Sequence, residues 1–358
     1  MSEIPWKPNW DETKKHFNDF WNRKGVVIAS WGPPKAVKQI EPVQEVGCPD
    51  IREYYLNPVL RAKVNHYRLS EGYFGADVLP LSDTFFGPGS LATFIGSEPG
   101  ISDETIWFEP CVMNESEPEK LPPLKFDPEN KWWKLTEQTL KECVRLGKGK
   151  YMVGCPDLVE NIDVLSSLRD PQTLMFDMIE RPEWVKQKVW EINKVWFEAY
   201  QRIYDIIKLD DGSSSWAAFR VWGAGKTAKL QCDASAMFSP EMFKEFVVPA
   251  LTEQCSWLDN SLYHLDGTQA MCHLDALLAI KELDAIEWTP QAGIEPGAHP
   301  RWFDLYRKII DAGKSVQIMS VGHDDLKPML DKIGRDGIYV MTGGVSAAQM
   351  EKMYNSVR

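Results

Sequence analysis

Short apolar runs bounded by Gly, Pro, Asn and Asp recur at Gly25–Ser30, Asp77–Ser82, Tyr151–Cys155, Ala228–Cys232, Leu262–Leu265, Ala285–Trp288, Ser315–Ser320 and Ile338–Thr342. Runs of this length and content predict strands. Helical periodicity lies between most of them. Pro182–Ile203 carries Val185, Val189, Ile192, Val195 and Trp196 at three- and four-residue spacing, an amphipathic face. Pro240–Leu258 repeats the pattern with Phe243, Phe246, Val247, Ala250 and Leu251, and Pro249 should kink it. Strand–helix alternation through these runs predicts an α/β chain folded as one (β/α)8 TIM-type barrel over residues 1–358. The helical pattern from Trp10 to Trp21 predicts an N-terminal extension, residues 1–24, outside the barrel. Two long interruptions, 83–150 and 204–227, read as loops at or near the active-site rim. The first holds the Pro- and Glu-rich stretch Asn114–Asn130; the second holds Trp216, Phe219, Arg220 and Trp222, fit for a lid or pocket wall.

In such a barrel all strands end at one rim, and that rim carries the chemistry. The run Ser261-Leu-Tyr-His-Leu-Asp-Gly267 ends by presenting His264 and Asp266 on one face, because residues two apart in a strand share a side. An imidazole and a carboxylate so placed are candidate metal ligands, with a third from Cys232, Asp233, Glu287 or His323. A buried His–Asp hydrogen bond pinning the rim, or acid–base work, would use the same pair. Asp83, Asp233 and Glu287 also follow strands and are candidates for substrate binding or proton transfer, with a helix N-cap as the rival role for Asp233. Cys232, next to Asp233, should pack in the wall. His273 lies in a leucine-lined helical stretch and reads as a packing or surface residue. Asp157 and Glu160 follow the third strand, where a pocket lining and an acidic helix start are equally good readings.

Composition narrows the classes. With 44% hydrophobic residues in 358, the chain can bury a large core. A net charge of −12 argues against duplex nucleic acid or an anionic membrane surface. Met1–Lys15 is polar and unlike a signal peptide, and no apolar run approaches the length of a membrane span. Seven scattered cysteines without a C-x-x-C pair fit free thiols in a reducing cytoplasm. Fifteen tryptophans could supply pocket walls as well as core. Gly223-Ala-Gly-Lys-Thr227 lacks the first glycine of a phosphate loop.

The order of these pieces resembles the uroporphyrinogen decarboxylase superfamily of (β/α)8 barrels, which also contains cobalamin-dependent methyltransferases. Val78-Leu-Pro-Leu-Ser-Asp-Thr84 resembles the family's Phe-Ser-Asp strand end, with Asp83 at its substrate-binding aspartate. Gln231-Cys-Asp233 followed by Phe238-Ser-Pro-Glu-Met-Phe-Lys-Glu-Phe-Val-Val-Pro249 resembles its Ser-Pro-Glu segment, and His264-Leu-Asp-Gly267 its His-x-x-Gly strand end. The similarity runs from Asp77 to Ser346 and is weakest over 84–150.

True uroporphyrinogen decarboxylases carry an Arg-Gln-Ala-Gly-Arg segment after the first strand; here Val27-Ile-Ala-Ser-Trp-Gly-Pro-Pro34 brings no arginine. The resemblance therefore points to the methyltransferase branch. That branch holds zinc through His-x-Cys and a later Cys, whereas this chain has Asp266 at the first cysteine position and Met341-Thr-Gly-Gly344 where the second would fall. A His–Asp site is harder and more oxygen-rich.

The implied activity is methyl transfer between a small methyl ether or methylamine and a corrinoid (cobalamin) carried by a partner protein. His264, Asp266 and Asp233 would be catalytic, and His264 and Asp266 would hold zinc or another divalent metal. Asp83 and Glu287 would position the substrate, with Trp288 and Trp222 as apolar walls. The oligomeric state stays open, a homodimer included. The rival readings are a carbohydrate-active hydrolase or lyase using paired carboxylates, and a non-catalytic binding protein on the same barrel.

Overall fold

Six parallel strands form the central sheet of a computed structural model that describes residues 4–48, 50–103, 105–113 and 115–358. Asn114, where the Pro- and Glu-rich stretch begins, and the first three residues of the polar amino-terminal segment lie outside the described residues. In chain order the strands are β1 (Val26–Ser30), β2 (Leu81–Ser82), β3 (Glu98–Ile101), β4 (Ile106–Glu109), β5 (Met152–Val153) and β6 (Ser214–Trp216). They continue with β7 (Val221–Gly223), β8 (Thr227–Gln231), β9 (Asn260–Asp266), β10 (Ala285–Thr289), β11 (Ser315–Ile318) and β12 (Ile338–Thr342). The sheet order is β1-β12-β11-β10-β9-β8. Every residue of β1, β8, β11 and β12 is buried, as expected of parallel strands covered on both faces.

Each of the eight sequence-predicted strands has its counterpart, yet the hydrogen-bonded ladder does not close into a barrel. β2 and β5 pair only with each other, over two residues each. Their length is limited by proline, which has no N–H to add to a ladder: Pro80 precedes β2 and Pro156 follows Cys155. Isolated contacts bridge the gaps. The Asp77 N–H donates to the Ile28 carbonyl at 3.0 Å while the Asp77 carboxylate accepts from the Ile28 N–H at 2.9 Å. On the other side, a single bridge joins Cys155 to Trp216 of the antiparallel β6–β7 hairpin.

The two stretches read as loops carry structure of their own. Residues 83–150 contain a helix at Ser90–Phe94, the antiparallel β3–β4 hairpin and a 17-residue helix, Lys131–Gly147, that buries Trp133, Thr136, Leu140 and Cys143. Residues 204–227 contain the β6–β7 hairpin with a tight turn at Ala218–Arg220. The long helix runs Pro182–Ile207, with proline in its first turn, where the missing N–H is harmless. The next helical region breaks as proline dictates, into Pro240–Phe246 and Val248–Trp257. Ser239 caps the first piece by accepting the Met242 N–H.

The amino-terminal helix, Trp10–Trp21, does not stand apart from the sheet. It buries Trp10, Thr13, Phe17, Phe20 and Trp21 on one stripe. Phe17 meets Tyr339 of β12 and Trp222 of β7 edge-on, with centroids at 5.4 and 6.1 Å, and the Trp21 indole N–H donates to the Trp222 carbonyl. Among the described residues, no helix is long and apolar enough to cross a membrane.

This packing sets the first test. Phe17 is fully buried, so Phe17→Ala should lower unfolding free energy by about 3–5 kcal/mol through lost transfer energy plus a cavity. Urea denaturation measures it, and a loss under about 1 kcal/mol would show that the helix is not integral to the core.

Candidate active site

Strand register builds the site. Gln231 of β8 lies opposite His264 of β9, His264 opposite Glu287 of β10, Glu287 opposite Gln317 of β11, and Gln317 opposite Tyr339 of β12. Residues paired across parallel strands project to the same face, so five polar side chains form one row. Their neighbours along each strand, such as Leu230, Tyr263, Ile286 and Val316, are buried on the alternate face. The same alternation corrects one expectation. Glu287 belongs to the row, so Trp288 points away from it, fully buried and 5.0 Å from the Trp302 ring. Neither Trp288 nor the fully buried Glu287 lines the cavity beside His264, so Glu287 acts on that cavity only through His264.

His264 is held by this row. Its Nδ1 bonds a Glu287 carboxylate oxygen, and the other Glu287 oxygen accepts from the Thr289 hydroxyl at 2.7 Å. Nδ1 thus carries the proton toward Glu287, leaving Nε2 for other chemistry. The Phe219 ring packs on the imidazole with centroids 4.5 Å apart. Burial works against an imidazolium, but the Glu287 carboxylate outweighs it and His264 holds its proton more tightly than usual. Burial also raises Glu287, with His264 pulling it back only in part, so the pair retains a proton.

Asp233 and Asp266 complete the cluster: one ligand atom from each, together with a His264 nitrogen, lies within 4.8 Å of the others. Asp233 is not a helix cap. Its carboxylate accepts from the Gln231 amide at 2.7 Å, and desolvation raises its affinity for a proton against the pull of His264 and Lys229. Beside His264 opens a cavity of about 400 Å³. Trp31, Phe219, Met319 and Met341 give it apolar walls, while His264, Asp266, Thr289 and Thr342 supply polar groups.

The β6–β7 turn forms part of that wall. Phe219 and Arg220 adopt left-handed φ angles of 59° and 51°, a conformation that costs non-glycine residues energy unless neighbours hold it. Those neighbours come from the polar row. The Gln317 amide donates to the Phe219 carbonyl at 2.8 Å and the Tyr339 hydroxyl to the Arg220 carbonyl at 2.9 Å. The Arg220 guanidinium reaches the carbonyls of Trp31 and Leu81. Gln231, Gln317 and Tyr339 were not singled out from sequence, although a polar residue amid an apolar strand was the available signal.

Other candidates fall elsewhere. Trp222 is buried against Trp10 and Phe17, beneath the amino-terminal helix, and does not line the cavity. Asp83 lines a different cavity, because β2 is short and the chain is pinned as it leaves it: Asp83 accepts the Phe85 N–H, and Asn65 donates to its carbonyl. Asp157 forms a buried ion pair with Lys229 at 2.7 Å, and Glu160 caps the helix Asn161–Arg169 through the Ile162 N–H. His323 pairs with Asp324 at the surface. His273 is buried, stacked on Phe243 at 4.3 Å and bonded to the Ser235 carbonyl. Cys232 is buried in the wall.

No family model matches the chain, and no curated protein matches it. Among solved structures, a methyltransferase from Methanosarcina mazei superposes with a TM-score of 0.64 over 96% of this chain and 97% of that one, at 12% sequence identity. At that identity the likeness speaks for the fold.

Asp163 lends the cluster a pH signature. Its two carboxylate oxygens accept the backbone N–H groups of Asp233 and Ala234 at 2.8 and 2.9 Å. Burial first, and then the Asp233 charge, push it up to about 7. An unfolded aspartate titrates near about 3.9, so the folded chain binds this proton more tightly. The stabilising contribution is complete below the unfolded value and lost as pH rises through about 7. Asp163→Asn should therefore be costlier at pH 5 than at pH 8 in urea denaturation. An equal cost at both would refute the assignment.

Proposed function

We propose that this chain is a methyltransferase acting on a small methylated molecule, a methyl ether or methylamine, and passing the methyl group to a corrinoid held by a partner protein. The observation that carries the reading is the His264 arrangement. Glu287 fixes Nδ1, so Nε2 and the Asp233 and Asp266 carboxylates remain for a reacting heteroatom beside an apolar cavity. The superfamily resemblance of the Ser239-Pro-Glu241 segment and the methyltransferase with a similar fold support the same reading.

Breaking a bond from methyl carbon to oxygen or nitrogen leaves the electron pair on the heteroatom, which must take up positive charge. As the imidazolium, the form that Glu287 favours, His264 keeps its Nδ1–H on Glu287 and carries a second proton on Nε2 that it can donate there. Phe219, Met319 and Met341, with the half-exposed Trp31 at the edge, would give the methyl group an apolar surround. A corrinoid on a partner protein would supply the nucleophile for the methyl group.

The donor set also fits a divalent cation such as zinc. It offers one imidazole nitrogen and two carboxylates, and the ligating histidine carries a carboxylate on its other nitrogen, as metal-bound histidines usually do. Held by Asp233, His264 Nε2 and Asp266, the cation would supply a Lewis acid at the leaving heteroatom in place of the Nε2 proton.

Two measurements test the proposal. Methyl transfer to free or protein-bound cob(I)alamin, followed by absorbance across a panel of methyl ethers and methylamines, should fall by about a hundredfold or more in His264→Ala and hold steady in the surface control His323→Ala. No transfer with any donor, or equal loss in both variants, would refute it. Equilibrium dialysis with zinc should show about one ion per chain, bound at least about tenfold more weakly in Asp266→Asn. Unchanged affinity would remove Asp266 from the ligand set.

A further inference from the structure

A second cavity, of about 380 Å³, shares no lining residue with the first. It lies between the helices Ile51–Leu56 and Pro58–Ser70 and the end of β2, and it is lined by Tyr54, Tyr55, Arg61, Arg68, Asp83 and Phe85 among others. Arg61 is the unusual member. Its side chain is only 2% exposed, and a guanidinium stays charged at any ordinary pH. Among the described residues, neither Arg61 nor Arg68 forms an ion pair. One Arg61 Nη bonds the Phe85 carbonyl, whereas Nε is shut off from solvent with no partner.

Asp50 and Asp83 line the same cavity, but among the described residues neither comes within ion-pair distance of Arg61. Its guanidinium lies over the Tyr54 ring at 5.0 Å and the Tyr55 ring at 5.1 Å, and that of Arg68 over Tyr54 at 5.3 Å. These contacts position the cations but cancel no charge. Burial keeps both phenols protonated beyond their usual range, so neither tyrosine becomes an anion. The Asp83 carboxylate is turned to the Phe85 N–H, and Asp50 accepts the Glu53 N–H as a helix cap. A buried guanidinium with five donors and one carbonyl acceptor is costly unless something else completes it.

The geometry points to a binding site for a small oxyanion, a carboxylate or phosphate group on a compact molecule, held by Arg61 at the floor and Arg68 at the mouth. Planar, forked donors suit both groups. The body of the ligand would lie against Tyr55 and Phe85. This assignment does not rest on methyl transfer, and its readout is binding alone.

The test is calorimetric titration of the full chain, at low ionic strength, with inorganic phosphate and separately with succinate. Saturable binding of at least one probe is expected, weakened about tenfold or more in Arg61→Met and in Arg68→Ala. The tighter probe identifies the ligand as a phosphate or a carboxylate. Should Arg61→Met fail to fold, the exposed Arg68→Ala carries the test together with Asp83→Asn, which removes a negative charge from the wall and should tighten binding. No saturable binding of either probe, or affinity unchanged in Arg68→Ala, overturns the assignment.

Discussion

A carboxyl group buried at the centre of a parallel sheet is the constraint around which this structure is arranged. Glu287 has no exposed surface, and leaving such a group unpartnered would cost about 3–5 kcal/mol. Both its oxygens are used, one by His264 Nδ1 and one by the Thr289 hydroxyl. The partners are available because β9 and β10 are in register, with His264 opposite Glu287 and Asp266 opposite Thr289. Slipping β10 by one residue would turn Glu287 into the apolar layer and Trp288 to the face of the polar row, and slipping β9 would turn His264 away from Glu287. The register that satisfies the buried acid also fixes the histidine's tautomer, and so decides which nitrogen faces the cavity.

The polar row extends this logic to the rest of the site. Gln317 and Tyr339 spend their donors on the carbonyls of Phe219 and Arg220, which holds a strained turn against His264. Arg220 in turn ties the turn to Trp31 after β1 and Leu81 of β2. Strands that lack a continuous ladder are therefore linked through side chains at the level of the cavity. The amino-terminal helix closes the same face further from the cavity, where its Phe17 and Phe20 rings meet Tyr339. One tyrosine thus joins the packed core to the cavity wall.

Local signals in the sequence determined the element order. Apolar runs ended by Gly and Pro marked the strands of the central sheet, and 3.6-residue periodicity marked helices over 10–21, 182–203 and 240–258, the second of which runs on to Ile207 in the folded chain. Two-residue spacing on one strand sufficed to place His264 and Asp266 on a common side, and the acidic Asp233 joined them through the neighbouring strand end. These features depend on residues close together in the chain, so periodicity alone carries them.

What tertiary structure decided concerns partners distant in sequence. His264 and Glu287 are 23 residues apart, Gln317 and Phe219 98 apart, and no local pattern encodes which pairs meet. Asp83 and Trp222 carried the right residue types, but packing sent Asp83 to the arginine-lined cavity and Trp222 beneath the amino-terminal helix. Trp288 was lost to alternation, which was legible once Glu287 was assigned to the inner face. Prolines 80 and 156 were visible as well, yet their effect on ladder closure depended on strand lengths that only the folded chain shows. Sequence fixes which groups can do chemistry; register and packing decide which of them share a cavity, because a one-residue shift reverses every side chain on a strand.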